Sequence, residues 1–113
     1  YAATVLKPFV REQVTWCVQT HGDFQLIYFG KHVGANPNKR DAHKDNPYFD
    51  DCVEFCECWD QTSFDPNYPN KTLDFFADIV RKVFARDAYQ PSVIRPGHRI
   101  PLKNSRSARA RAE

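Results

Sequence analysis

One stretch constrains the fold more than any other: Cys52-Val53-Glu54-Phe55-Cys56-Glu57-Cys58-Trp59-Asp60-Gln61, with the turn Phe64-Asp65-Pro66 behind it. Phe49, Val53, Cys56 and Asp60 stand at offsets of four, seven and eleven. At about 100° per residue, all four share one helix face. A carboxylate on an apolar stripe is costly to bury unless it is paired, hydrogen-bonded or metal-bound. Asp60 therefore needs a partner from another element. The stretch predicts a helix from about Tyr48 to Gln61, opened by Asn46 as cap and Pro47 at the first position.

The same spacing recurs upstream in Val10, Val14, Cys17 and His21, with Val18 widening the stripe. It predicts a helix from Pro8 to Thr20 or His21, ended by Gly22. Asp23 to Val33 fits a further helical segment, weakened by about 1 kcal/mol at Gly30. Gly34 to Asp45 reads as a polar loop with one helical turn around Arg40 to Lys44. Thr62 to Asn70 is a proline-stiffened turn. Thr72 caps a last helix from Leu73 to about Arg86, whose core stripe is Leu73, Phe76, Val80, Val83 and Phe84. Beyond Tyr89, Pro91, Pro96 and Pro101 break all periodicity, and Asn104 to Glu113 is low-complexity sequence expected to be disordered. No alternating strand pattern occurs, so the expectation is an all-α chain of about four helices. The helical domain covers 1–94, and a Pro/Arg-rich tail covers 95–113.

Composition narrows the class. The 113 residues are 42% hydrophobic, which suits one small globular domain. Residues 1–94 carry 10 Lys and Arg against 13 Asp and Glu, and residues 95–113 carry 6 against 1, so a mildly acidic body bears a basic tail. No apolar run approaches the roughly 20 residues that span a bilayer, and no secretory leader pattern opens the chain. Cys17, Cys52, Cys56 and Cys58 are too clustered for a disulfide framework and read as reduced thiols of a cytoplasmic protein. Without a leader, the sequon Asn70-Lys71-Thr72 is read as chance. The chain starts at Tyr1 and contains no Met, so the expectation is a processed product or a piece of a longer chain.

Taken alone, His21 fits a core imidazole with satisfied nitrogens better than it fits a metal ligand. Asp60 fits a helix-to-helix hydrogen bond or a cap for Thr62-Ser63 as well as a ligand. Two such residues in matching phase on two packed helices favour the joint metal reading.

The residues from Val14 to Phe84 resemble the C-terminal half of HD-domain proteins. The resemblance is carried by Val18-Gln19-Thr20-His21-Gly22-Asp23-Phe24-Gln25, Asn46-Pro47-Tyr48-Phe49, Phe55 through Tyr68 and Val80-Arg81-Lys82-Val83-Phe84. It implies part of an HD-type helical bundle in which His21 and Asp60 are metal ligands. By the same resemblance, His32 and Gln61 would stand behind them, supporting the ligands or facing the substrate. It implies a divalent metal (Fe, Mn, Mg or Zn) and a metal-activated water that hydrolyses a small phosphate- or phosphonate-containing substrate. Di-iron oxygenase chemistry is the alternative within the same family. The defining His and His-Asp pair of that family are absent, and no histidine lies upstream of His21. The expectation is therefore that the N-terminal half of the same domain is the missing partner. Alone, the chain would bind metal weakly and turn over nothing, with no catalytic residue assigned. A truncated bundle would expose apolar faces such as that of Val10 and Val14.

Two other function classes fit parts of the sequence. Cys17 and His21, like Cys52 and Cys56, are spaced i, i+4 and make a Cys₃His set for a structural zinc module. Against it, mid-helix ligands are unusual, and small buried cysteines commonly pack as hydrophobes. Arg99, Lys103, Arg106, Arg109 and Arg111 would meet nucleic-acid phosphates, but no aromatic among them stacks on bases, so a solvated tail is expected instead.

Overall fold

Helix α2 (Glu12–Phe29) is the spine of the computed structural model, which describes residues 1–101. It runs straight through Gly22, the residue that the sequence pattern marks as a terminator. A Cβ at Gly22 would meet nothing within 4 Å, so the residue plays no steric part. Its propensity cost of about 1 kcal/mol is outweighed by the fully buried Phe24 two residues on. The predicted break and the separate segment Asp23–Val33 are thus one helix with a 3₁₀ turn, Gly30–Val33, at its end. Gly34, at φ +71°, stops it with the left-handed conformation that glycine adopts without cost. Pro8 does not open this helix. It lies in the turn between α1 (Ala2–Leu6) and α2, and Arg11 in extended conformation is the cap position.

The polar loop contains the short 3₁₀ turn Lys39–His43, close to where the sequence predicts a helical turn. Asn46 accepts from the Tyr48 amide at 2.9 Å, so Asn46-Pro47-Tyr48 forms a turn before the helix rather than its first residues. Helix α3 (Phe49–Phe55) then starts a residue later than expected. It does not continue as an α-helix to Gln61. Cys56–Asp60 is π-helical and Gln61–Phe64 is 3₁₀.

Helix α4 (Leu73–Phe84) carries the expected cap: the Thr72 hydroxyl accepts from the Phe75 amide at 3.3 Å. It ends two residues short of Arg86, and its role differs from expectation. None of its residues is buried; Leu73 is 87% exposed, and Phe76, Val80 and Phe84 are exposed as well. Of the predicted core stripe only Val83, which shares a groove with Val10 and Val14, is half-buried; the rest is a surface stripe. Val10 and Val14, by contrast, are half-buried, so the face that carries them is not the exposed apolar face that the sequence predicts; apolar exposure falls on α4 and on the end of α2, at Ile27, Tyr28 and Phe29. The end of α4 is tied back through Phe9 and Phe84, edge to face at 5.1 Å, and through Arg86, which donates to the Phe9 carbonyl at 2.9 Å.

The core lies between α2 and α3. Phe24, Cys52 and Cys56 are fully buried, with Cys17 and Tyr48 beside them. Trp16, Phe49, Val53 and Phe55 pack around that cluster. Beyond the expected boundary at residue 94, Ile100 is clamped by the buried side chain of Gln13. The Gln13 amide donates to the Ile100 carbonyl at 3.0 Å, and its oxygen accepts from the Ile100 amide at 2.9 Å. Arg99 makes a two-pronged ion pair with the buried Asp51. The rest of the tail, with Lys103, Arg106, Arg109 and Arg111 and its expected disorder, lies outside the described residues.

The four described α-helices and the absence of strands among the described residues bear out the all-α expectation. No described helix is long and apolar enough to cross a membrane.

Candidate functional site

His21 sits half-buried on α2, its ring edge-on to Phe55 at 6.0 Å. Its Nδ1 lies 2.8 Å from the Val18 carbonyl. A carbonyl only accepts, so Nδ1 carries a proton, and in the neutral ring the lone pair is on Nε2. This is the tautomer of a metal-ligating imidazole oriented by its own backbone. It is equally the arrangement of a satisfied helix histidine.

Asp60 ends the π-helical turn and is half-buried. Its partner is Gln25, whose Nε2 donates to Oδ2 at 2.6 Å. The two stripes predict that His21 meets Asp60. The observed contacts advance one turn differently: Cys17 meets Cys52, the Cys56 thiol reaches the His21 carbonyl at 3.8 Å, and Gln25 meets Asp60. Asp60 therefore pairs with the residue one turn of α2, about 6 Å along the axis, beyond His21. Gln25 is a site residue that the sequence reading misses. Its spacing of four from His21 is the available signal.

Gln61 is half-buried and lines a groove of about 570 Å³ with Gln25, Tyr28, Phe29 and Phe64. His32 is exposed on the 3₁₀ turn after α2 and takes no part in this wall. A second polar group that sequence spacing does not suggest lies nearby on the same helix. Asp23 pairs with His43 at 2.9 Å and with Lys39 at 3.3 Å. The hydrogen bond from His43 holds the Asp23 carboxyl below the usual range, against the opposing effect of partial burial. His43 is fixed from its other side by stacking on Phe24 at 5.8 Å.

The cysteines form a different arrangement from the zinc set. Cys17, Cys52 and Cys56 are buried together, but Cys56 meets the backbone of His21 rather than its ring. The Cys52 thiol is pushed up to about 12, first by its hydrogen bond with Cys17 and further by burial. Cys56 is pushed up as well, by its bond with Cys52 and by burial. Both are thus protonated thiols at neutral pH, packed as small apolar groups. Half-exposed Cys58 stands apart from them. A thiol-reactive disulfide reagent at pH 8 is expected to modify one cysteine quickly, and the other three only after guanidinium unfolding. Peptide mapping should place the fast label on Cys58; rapid labelling of Cys52 would contradict the buried cluster.

Among the described residues, no three His, Cys, Asp or Glu side chains converge as a set that holds a metal ion. His21 through Nε2 and Asp60 through Oδ1 supply two donors, whereas catalytic zinc sites take three protein ligands. This donor set does not fit a complete metal centre. No protein-family model, curated protein or solved structure matches the chain.

Proposed function

We propose that the chain is the C-terminal portion of an HD-type, metal-dependent hydrolase of small phosphate-containing substrates. In this reading His21 and Asp60 are two ligands of a shared divalent-metal site. One observation chiefly supports it: the Gln25–Asp60 hydrogen bond brings the carboxylate within one helical turn of an imidazole whose Nε2 is free. The remaining ligands come from a further polypeptide segment, as the donor count requires. The groove beside Asp60, walled by rings and two carboxamides, suits the organic part of a substrate and offers no cation to a phosphate. By itself the chain binds metal weakly and catalyses nothing.

Titration of the ¹⁵N-labelled chain with Mn²⁺ tests this. Paramagnetic broadening is expected first at His21, Gln25 and Asp60. His21→Ala or Asp60→Asn should weaken binding at this locus about tenfold or more. Broadening centred on Asp41, Asp45 and Asp50 and indifferent to both substitutions would overturn the ligand assignment. Turnover of a generic phosphodiester by the metal-loaded chain would overturn its dependence on a further segment.

A further inference from the structure

A cavity of about 280 Å³ lies where the start of α2, the end of α4 and the segment 92–100 come together. It shares no lining residue with the groove beside Asp60 and is independent of the proposed metal site. Its volume suits a ligand of few heavy atoms, at the lower end of small-molecule sites. Val10, Val14, Val83, Val93 and Ile100 give it aliphatic walls. Its polar side chains are Arg11, Arg86, Ser92 and His98, and no carboxylate lines it among the described residues.

The two arginines come from different elements, one capping α2 and one just past α4. Each is spent only on a neutral acceptor. Arg11 donates from Nε to the Gln13 oxygen at 2.7 Å, and Arg86 donates from Nη1 to the Phe9 carbonyl at 2.9 Å. Neither makes an ion pair among the described residues. Arg11 is half-buried, and burial lowers its guanidinium pKa; Asp51 opposes that, and the neighbouring positive charge of Arg86 adds to it. Asp51 is already held by both prongs of Arg99. The fold thus brings two permanent positive charges to one small cavity, and the chain itself supplies no anion between them.

The cavity is also braced. Gln13 is 3% exposed, and the oxygen that accepts from Arg11 also accepts from the Ile100 amide at 2.9 Å. One buried carboxamide therefore fixes both the guanidinium and an aliphatic wall. Two further donors stand on the rim. The Ser92 hydroxyl accepts from Gln90 at 3.0 Å, which leaves its own proton to give. His98 Nδ1 lies 3.3 Å from the Val93 carbonyl, which holds the ring against the wall.

From this arrangement we infer that the cavity binds a small aliphatic phosphate monoester. Its dianionic head matches the two guanidinium charges, and three phosphate oxygens take hydrogen bonds from Arg11, Arg86 and Ser92. Its short carbon chain lies against the valines and Ile100.

The test is titration of the ¹⁵N-labelled full chain at pH 8 with butyl phosphate, inorganic phosphate, butyrate and butan-1-ol. Butyl phosphate should give saturable shifts at the Arg11 Nε–H and at the Val14, Val93 and Ile100 amides. Inorganic phosphate lacks the chain and butyrate lacks one charge, so each should bind about tenfold more weakly, and butan-1-ol should not bind. Arg86→Gln, at an exposed position, should weaken butyl phosphate about tenfold or more. Arg86→Lys keeps the charge without the fork and should fall between that variant and the parent. Lys82→Gln removes one positive charge outside the cavity and should change nothing. Absence of saturable shifts, binding of butan-1-ol as tight as that of butyl phosphate, or equal losses in Arg86→Gln and Lys82→Gln would each overturn the site. Butyrate binding as tightly as butyl phosphate would overturn its assignment to a phosphate.

Discussion

Phe24→Ala is expected to leave little folded protein at room temperature. Phe24 is one of three fully buried side chains among the described residues, and the other two are cysteines. Its ring touches three elements at once: Trp16 at 5.7 Å, His43 at 5.8 Å and Phe49 at 5.3 Å. Removing a buried phenylalanine costs about 3–5 kcal/mol, against a total of about 5–15 kcal/mol for a native domain. A chain whose core is this small should sit at the low end of that range. Urea unfolding followed by helical circular dichroism should show the midpoint falling by more than half. Phe76→Ala on the exposed face of α4 is the contrast and should change stability by no more than about 0.5 kcal/mol. Similar costs for the two substitutions would mean that α4, not the α2–α3 contact, carries the core.

Arg99→Ala is expected to cost about 2 kcal/mol, more than is usual for a residue so close to the end of the described chain. The Asp51 side chain is 4% exposed and that of Arg99 is 41% exposed. Removing the arginine strands a buried carboxylate, which costs about 3–5 kcal/mol when a pair is fully buried. The open side of Arg99 admits water and reduces that figure. The hydrogen bonds to Asp51 also raise the Arg99 guanidinium pKa above its ordinary value. Asp51→Asn in the Arg99→Ala background should recover more than half of the loss. Hydrogen exchange at the Ile100 amide, which donates to the Gln13 side chain at 2.9 Å, should accelerate in the single variant. An unchanged exchange rate would show that the Gln13 clamp holds this segment without the ion pair.

What the sequence discloses depends on whether a signal is local. Thr72 caps α4 by a side-chain bond three residues long, and its residue type announces it. The helical character of the chain is readable because the apolar spacing repeats within single elements. Gly22 misleads because a glycine stops a helix only when nothing beyond it is worth burying, and Phe24 lies two residues further on. The α4 stripe misleads in the opposite way. Its amphipathic spacing states what the face can bury, not that a described element covers it. Asp60 is correctly flagged as an acid in need of a partner, but that partner depends on the register between two helices. Spacing within each helix carries no information about that register, and the observed pairing with Gln25 differs by one turn from the expected alignment. His43 cannot be matched to Asp23 from sequence, since twenty residues of loop and helix separate them.

The π-helical turn at Cys56–Asp60 has a consequence for how this chain tolerates change in length. Such a turn holds one residue more than an α-turn, so everything after it is rotated by about 100° relative to an uninterrupted α-helix. That rotation delivers Asp60 to Gln25 and carries Gln61 and Phe64 to the wall of the same groove. The turn behaves as a single-residue insertion absorbed without a loop. Excising Cys58 would let the α-helix close up and swing the carboxylate to another face, while composition, charge and the buried thiols Cys17, Cys52 and Cys56 stayed almost the same. The position of the candidate site is therefore set by a residue count, and any relative lacking that extra residue would present a different side chain to Gln25.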